Sequence, residues 1–217
     1  MFLLFGAFLG VLSVFVIRSV YWIEDAFEKI PVHFIWWPAI AGLVVGALGF
    51  LEPRSLGVGY GNITEALLGT MPLAVAGSVL FFKFVSWAIA LGSGTSGGTL
   101  APLMTVGATL GVLANALLAR VVPGWTVEAQ VFALAGMAGL FAGCSRAILA
   151  SALFAFEATR QPLGIVPILG TCSMAYLTSR ALYVHSIMTL KITRRGVKVP
   201  HEYVPAPLET PRVDVAE

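Results

Sequence analysis

Six apolar runs follow one another along the chain, Phe2 to Ile17, Ile35 to Leu51, Met71 to Leu91, Leu103 to Leu118, Ala129 to Cys144 and Leu163 to Tyr176, and Lys83 is the one charge inside them. A spanning helix needs about 20 mostly apolar residues. Hydrocarbon offers no water to hydrogen-bond an open backbone, so such runs fold as helices. Charged residues make up 11% of the 217, well under the roughly 25% usual in soluble domains. The expected class is an all-α, multi-pass membrane protein. Several runs are too short to cross squarely, which predicts tilted, broken and half-depth helices. The first run lacks a basic n-region and leads into Arg18 and an acidic–basic stretch instead of a small-residue cleavage site, so it is read as a retained helix.

Charge is sparse but placed. Lys191, Arg194, Arg195 and Lys198 cluster after the last apolar run, and the positive-inside rule assigns that end to the cytoplasm. The cluster is short and juxtamembrane, so no nucleic-acid partner is expected. Cys144 and Cys172 lie in apolar, helix-like sequence and are read as small core residues without a metal or disulfide role. Residues 199–217 turn polar, with Pro200, Pro205, Pro207 and Pro211, and read as a cytoplasmic tail behind a membrane domain of residues 1–198.

Residues 1–30 read as one helix that runs from apolar spacing into Glu24, Asp25, Glu28 and Lys29, and Pro31 breaks it. Trp36 and Trp37 stand where an interfacial belt would hold the next segment, and Gly42, Gly46 and Gly49 offer a small-residue face for close packing. The glycine-rich residues 57–63 read as a turn or re-entrant loop, not as helix. Lys83 is left either snorkelling from a helix end or facing a wet cavity. At Ser145-Arg146 the segment Ala129 to Thr159 breaks in two; because an unpaired arginine at mid-bilayer is costly, the break is expected at or near an interface. Glu157 closes the second piece as a helix-end or pairing carboxylate, with proton carriage the alternative.

One stretch carries chemistry: "GSGTSGGTLAP", residues 92–102, between two apolar runs. A phosphate loop is excluded, since Thr99-Leu100 stand where it needs Lys-Ser/Thr. Gly94-Thr95-Ser96-Gly97 matches the GxSG of rhomboid-type intramembrane serine proteases. A serine nucleophile needs a base, and the later histidines, His185 and His201, lie beyond the last apolar run. The third reading is anion binding by backbone. A helix starting near Gly98-Thr99 presents N–H groups without intrahelical partners at its positive end, glycines permit close approach, and Pro102 falls where its missing N–H costs least. Such starts inside membrane proteins bind ions in discontinuous helices. On chemistry alone a surface loop with an ordinary helix cap is equally open.

The stretch resembles the G-S-G-x-P-G-G-x-F-A-P motif of the CLC family of chloride channels and chloride/proton antiporters. "GLFAGCSRAILASALFAFEAT" is similar to that family's pair of short helices around an S-x-R-A-P break with an L-x-x-E-M-T end, "GIVPILGTCSMAYLTSRAL" to the helix after them, and "SIMTLKITRRG" to the final helix. Four matches in order implicate most of the chain. In the family's lettering they imply helices J to R, the second inverted repeat.

The resemblance implies that backbone N–H groups around Gly98, of Thr99 and of Leu100 contact the anion, with Ala101 facing the more external site. Ser96 replaces the family's proline, which loosens the loop. An inner pore tyrosine precedes the family's final helix in L-Y-x-S-I; here Leu182-Tyr183-Val184-His185-Ser186-Ile187 has one extra residue, so Tyr183 is matched out of register. The first repeat's G-S-G-I-P and G-[RK]-E-G-P motifs do not occur in these 217 residues. The implied function is chloride transport as the C-terminal half of a channel or antiporter that does not conduct alone. No enzymatic activity and no cofactor are expected. Chloride, the bilayer and either a missing N-terminal half or a second antiparallel copy are the expected partners, with dimerisation of the complete assembly in the plasma membrane. The alternative from another class is a non-transporting structural subunit.

Overall fold

The computed structural model describes residues 1–95, 97–159 and 164–194. They form nine α-helices and no strand: α1 (Phe2–Glu28), α2 (Trp37–Leu51), α3 (Tyr60–Leu67), α4 (Leu73–Gly92), α5 (Leu100–Val121), α6 (Ala129–Ser145), α7 (Ile148–Thr159), α8 (Ile165–Leu182) and α9 (Leu190–Arg194). Each apolar run has become a helix. Five stretches are long and apolar enough to cross a bilayer: Phe2–Glu28, Phe34–Leu51, Leu73–Gly92, Leu100–Val121 and Ile165–Leu182. The 12-residue α7 rises only about 18 Å, a little over half of a hydrocarbon core.

The core is built by α1, α4, α5, α6 and α8. Lipid tails are as apolar as leucine, so helices in a membrane associate through close backbone approach and interhelical hydrogen bonds. Both devices are present. Along α5 and α6 glycine meets glycine: a Cβ at Gly107 would sit 2.4 Å from the Gly136 carbonyl oxygen, and one at Gly111 2.0 Å from that of Phe132. Ser179 of α8 donates to the Gly143 carbonyl of α6 at 2.8 Å. Phe132 is fully buried, its ring 5.0 and 5.1 Å from those of Phe2 and Phe5.

Three expectations change. Gly42 and Gly46 of α2 face open space among the described residues, and only Gly49 packs, against Leu56. Residues 57–63 are not all loop: Gly59 adopts φ 93° as the N-cap, and α3 begins at Tyr60. A glycine that disfavours helix interior is well suited to the left-handed residue just before one. Lys83 does not snorkel from a helix end. It is 3% exposed in the middle of α4, and its Nζ donates to the carbonyls of Ser55 at 2.9 Å and Gly57 at 2.6 Å. Arg146 is equally buried, as the left-handed C-cap of α6 at φ 69°. Its guanidinium N–H groups go to carbonyl acceptors in the chain after α8.

Candidate functional site

α4 ends at Gly92, and its last turn grips the segment that follows. Ser93 Oγ donates to the Ala90 carbonyl at 2.7 Å, Thr95 Oγ1 donates to the same oxygen, and Gly94 turns the chain at φ 82°. Further on, Trp87 Nε1 donates to the Gly98 carbonyl at 3.3 Å. Thr99 is the N-cap of α5. The Leu103 N–H bonds the Thr99 carbonyl at 3.2 Å, Pro102 has no N–H, and the amides of Leu100 and Ala101 come before both. A helix of 22 residues places roughly half a positive charge at this end. Gly97, Gly98 and Leu100 are exposed, and Thr99 and Ala101 half-buried. Among the described residues, a Cβ at Gly97 or Gly98 would meet no atom within 4 Å. One side of the helix start is lined by α4 and the other, among the described residues, is open. Gly98, Thr99, Leu100 and Ala101 are brought together here. Ser96 lies outside the described residues.

Tyr183 is placed elsewhere. It is the extended C-cap of α8, and the carbonyls of Tyr183, Val184 and His185 all accept from the Arg146 guanidinium, those of Val184 and His185 at 3.2 Å. Its ring lies under the Arg18 guanidinium at 5.4 Å and edge-on to His185 at 5.9 Å. It packs against an apolar cluster that includes Trp87, Leu103 and Ile187. Arg146 thus holds residues 183–185 by their carbonyls. His185 packs on this tyrosine, while His201 lies outside the described residues.

The basic end of the chain is tied back to α1. Arg194 pairs with Asp25 at 2.5 Å and lies 4.7 Å over the Tyr21 ring, whose hydroxyl donates to the Ile187 carbonyl at 2.9 Å. The hydrogen bond to Asp25 raises the arginine's pKa above its ordinary value. Arg195 and Lys198 lie outside the described residues. Glu157 is exposed near the end of α7.

Three clamping residues were not read from the sequence. Lys83 and Trp87 are one turn apart on α4, so they present the same face, the first to residues 55–57 and the second to Gly98. Arg146 does the same for residues 183–185. The available signal was donor chemistry: ammonium, indole and guanidinium groups donate and do not accept, so burying one in an apolar run demands carbonyls left free by irregular backbone.

The family model described as voltage gated chloride channel matches residues 1–180. An H(+)/Cl(-) exchange transporter, ClcA, of Cronobacter sakazakii is 30% identical over 186 residues, which are 84% of this chain and 40% of the relative. A voltage-gated ClC-type chloride channel, ClcB, of Salmonella typhimurium is 30% identical over 164 residues, 76% of this chain and 39% of that protein. The chain thus spans about two fifths of the length of the curated relatives it matches. Among solved structures, a slow cyanobacterial Cl-/H+ antiporter superposes with a TM-score of 0.81 at 26% identity, covering 90% of this chain and 46% of the other. A eukaryotic CLC transporter does so with 0.74 at 26% identity, covering 89% and 34%. With the family match spanning α1 to within two residues of the end of α8, the chain is an integral multi-pass membrane protein and belongs to the voltage gated chloride channel family.

Proposed function

We propose that this chain contributes one wall of a chloride pathway, with the amides of Thr99 and Leu100 as anion ligands and that of Ala101 facing a more external site. The observation that carries the reading is the start of α5. There a glycine-rich segment delivers a long helix whose leading N–H groups precede its first closed turn, and the side away from α4 is open. Backbone ligands explain why Thr99-Leu100 can stand where other side chains occur in the motif: specificity lies in the direction of the amides. Chloride is dehydrated there by dipoles, without a buried full charge to compensate it.

An open side needs a second wall. The chain acts with a complementary half, supplied by another segment or by an antiparallel second copy in an inverted-repeat arrangement, and the complete assembly dimerises. Tyr183 borders the inner end of the pathway. The assembly resides in the plasma membrane with residues 199–217 in the cytoplasm. Its activity is transport of chloride, by conduction or by exchange for protons, and involves no group chemistry.

Liposomes containing only the purified chain test the proposal. Chloride efflux under a valinomycin-clamped potential is expected to stay at the level of empty vesicles while the chain is monomeric, and to rise when the complementary half is co-reconstituted or when two copies pair in antiparallel fashion. Robust, chloride-selective flux from a monodisperse monomer of this chain alone would overturn the half-site reading.

A further inference from the structure

We propose that Trp87 is a positioning residue of this anion site: its indole N–H, bonded to the Gly98 carbonyl, sets the direction in which the Thr99 amide points. The inference rests on the reading of residues 98–101 as an anion-binding helix start.

The geometry is that of one peptide. A trans peptide is planar, so the Gly98 carbonyl and the Thr99 N–H leave it in opposite directions. Trp87 holds the oxygen on the α4 side at 3.3 Å, which turns the N–H away from α4. An indole has a single N–H and no acceptor, so the contact can be made only in this sense. Trp87 is itself well held: it is 7% exposed, packs in the cluster with Leu103 and Val106, and its ring lies 6.4 Å from that of Phe84. Gly97 and Gly98, in contrast, have open space among the described residues where a side chain would be, and none of those residues packs on this peptide there. The other grips from α4 fall on Ser93 and Thr95, ahead of Ser96. The indole bond is thus the tie next to the helix start.

The same geometry couples the indole to the anion. An anion accepting from the Thr99 N–H polarises the peptide and makes the Gly98 oxygen a better acceptor, and two hydrogen bonds on one peptide strengthen each other. Chloride at Thr99 therefore tightens the Trp87 bond, and the Trp87 bond favours chloride.

The test uses the full chain in bicelles, labelled with nitrogen-15 in tryptophan and threonine, and titrated with chloride against gluconate at constant ionic strength. In the wild type the Thr99 amide and the Trp87 indole signals are expected to move with one common midpoint. In Trp87→Phe the Thr99 midpoint is expected to rise about tenfold, the effect of one hydrogen bond, with the unfolding transition retained. Replacing Trp87 by benzothienylalanine, in which sulfur takes the place of the N–H, keeps the shape and is expected to give the same rise; it decides the matter if the phenylalanine variant does not fold. A Thr99 signal that chloride does not move in the wild type would refute the site and this inference together. A Thr99 signal that moves with the same midpoint in wild type and variants, or an indole signal that does not follow it, would refute the role of Trp87 and leave the site standing.

Discussion

Substituting Gly111 by alanine tests how α5 is held, and through it how the proposed ligands are held. The new Cβ would sit 2.0 Å from the Phe132 carbonyl oxygen and 2.6 Å from the Ala133 Cα. Carbon–oxygen contacts ordinarily close at about 3.3 Å, so α5 and α6 must part by roughly 1.3 Å at this level. Both obstacles are helical backbone in the first turns of α6, and neither can rotate away as a side chain would. A gap approaching 1 Å forfeits up to about half of each dispersion contact along the seam, and overpacking of this kind costs about 1–3 kcal/mol. Alanine returns about 1 kcal/mol of helix propensity. Taking the upper figure for a backbone clash, the net loss is about 2 kcal/mol.

Gly77→Ala supplies the control, because among the described residues a Cβ there, in the second turn of α4, meets nothing within 4 Å. It should keep the propensity gain, which separates the two variants by about 3 kcal/mol. Reversible unfolding in bicelles, read by steric trapping, measures the difference directly. The start of α5 moves with its axis, so chloride-dependent shifts at Thr99 should weaken in Gly111→Ala and persist in Gly77→Ala. If Gly111→Ala unfolds with the wild type, the backbone contact at Phe132 does not hold α5, and the close-packing account of this core is wrong.

Gly98→Ala should leave stability within about 0.5 kcal/mol, since its Cβ has open space, and should weaken chloride binding at Thr99; equal binding would argue against the helix-start site. Arg146→Lys should destabilise by about 2–4 kcal/mol, because an ammonium cannot span three successive carbonyls as a guanidinium fork does, and denaturation in detergent would show it. Lys83→Met should raise amide exchange in residues 55–63 about tenfold, as two carbonyls lose their donor; unchanged exchange would mean that packing alone holds this loop. Asp25→Asn should cost under about 1 kcal/mol in an unfolding measurement, and less in high salt, since both partners of its bridge to Arg194 are largely solvated.

The apolar runs made the helices legible, and Pro31 and the glycine-rich residues 92–98 marked two of their breaks. Interior packing was not legible in the same way. Gly42 and Gly46 stand four residues apart, as do Gly107 and Gly111, yet among the described residues only the second pair meets a partner. Spacing permits close approach; the facing helix decides whether it happens. The hydrogen-bond clamps were hidden for a different reason. Arg146, Lys83 and Trp87 are visible as donors, but every residue carries a carbonyl, so the sequence does not mark which oxygen will be free. Arg146 finds its acceptors 37 to 39 residues away, Lys83 finds them 26 and 28 residues back, and Trp87 finds its own 11 residues on. In each case they lie where a helix has just ended or is about to begin, because there the intrahelical ladder leaves oxygens unclaimed. A broken helix in hydrocarbon needs donors from its neighbours as much as a buried donor needs a break. Lys83, Trp87 and Arg146 each supply such a donor to backbone beside a helix end.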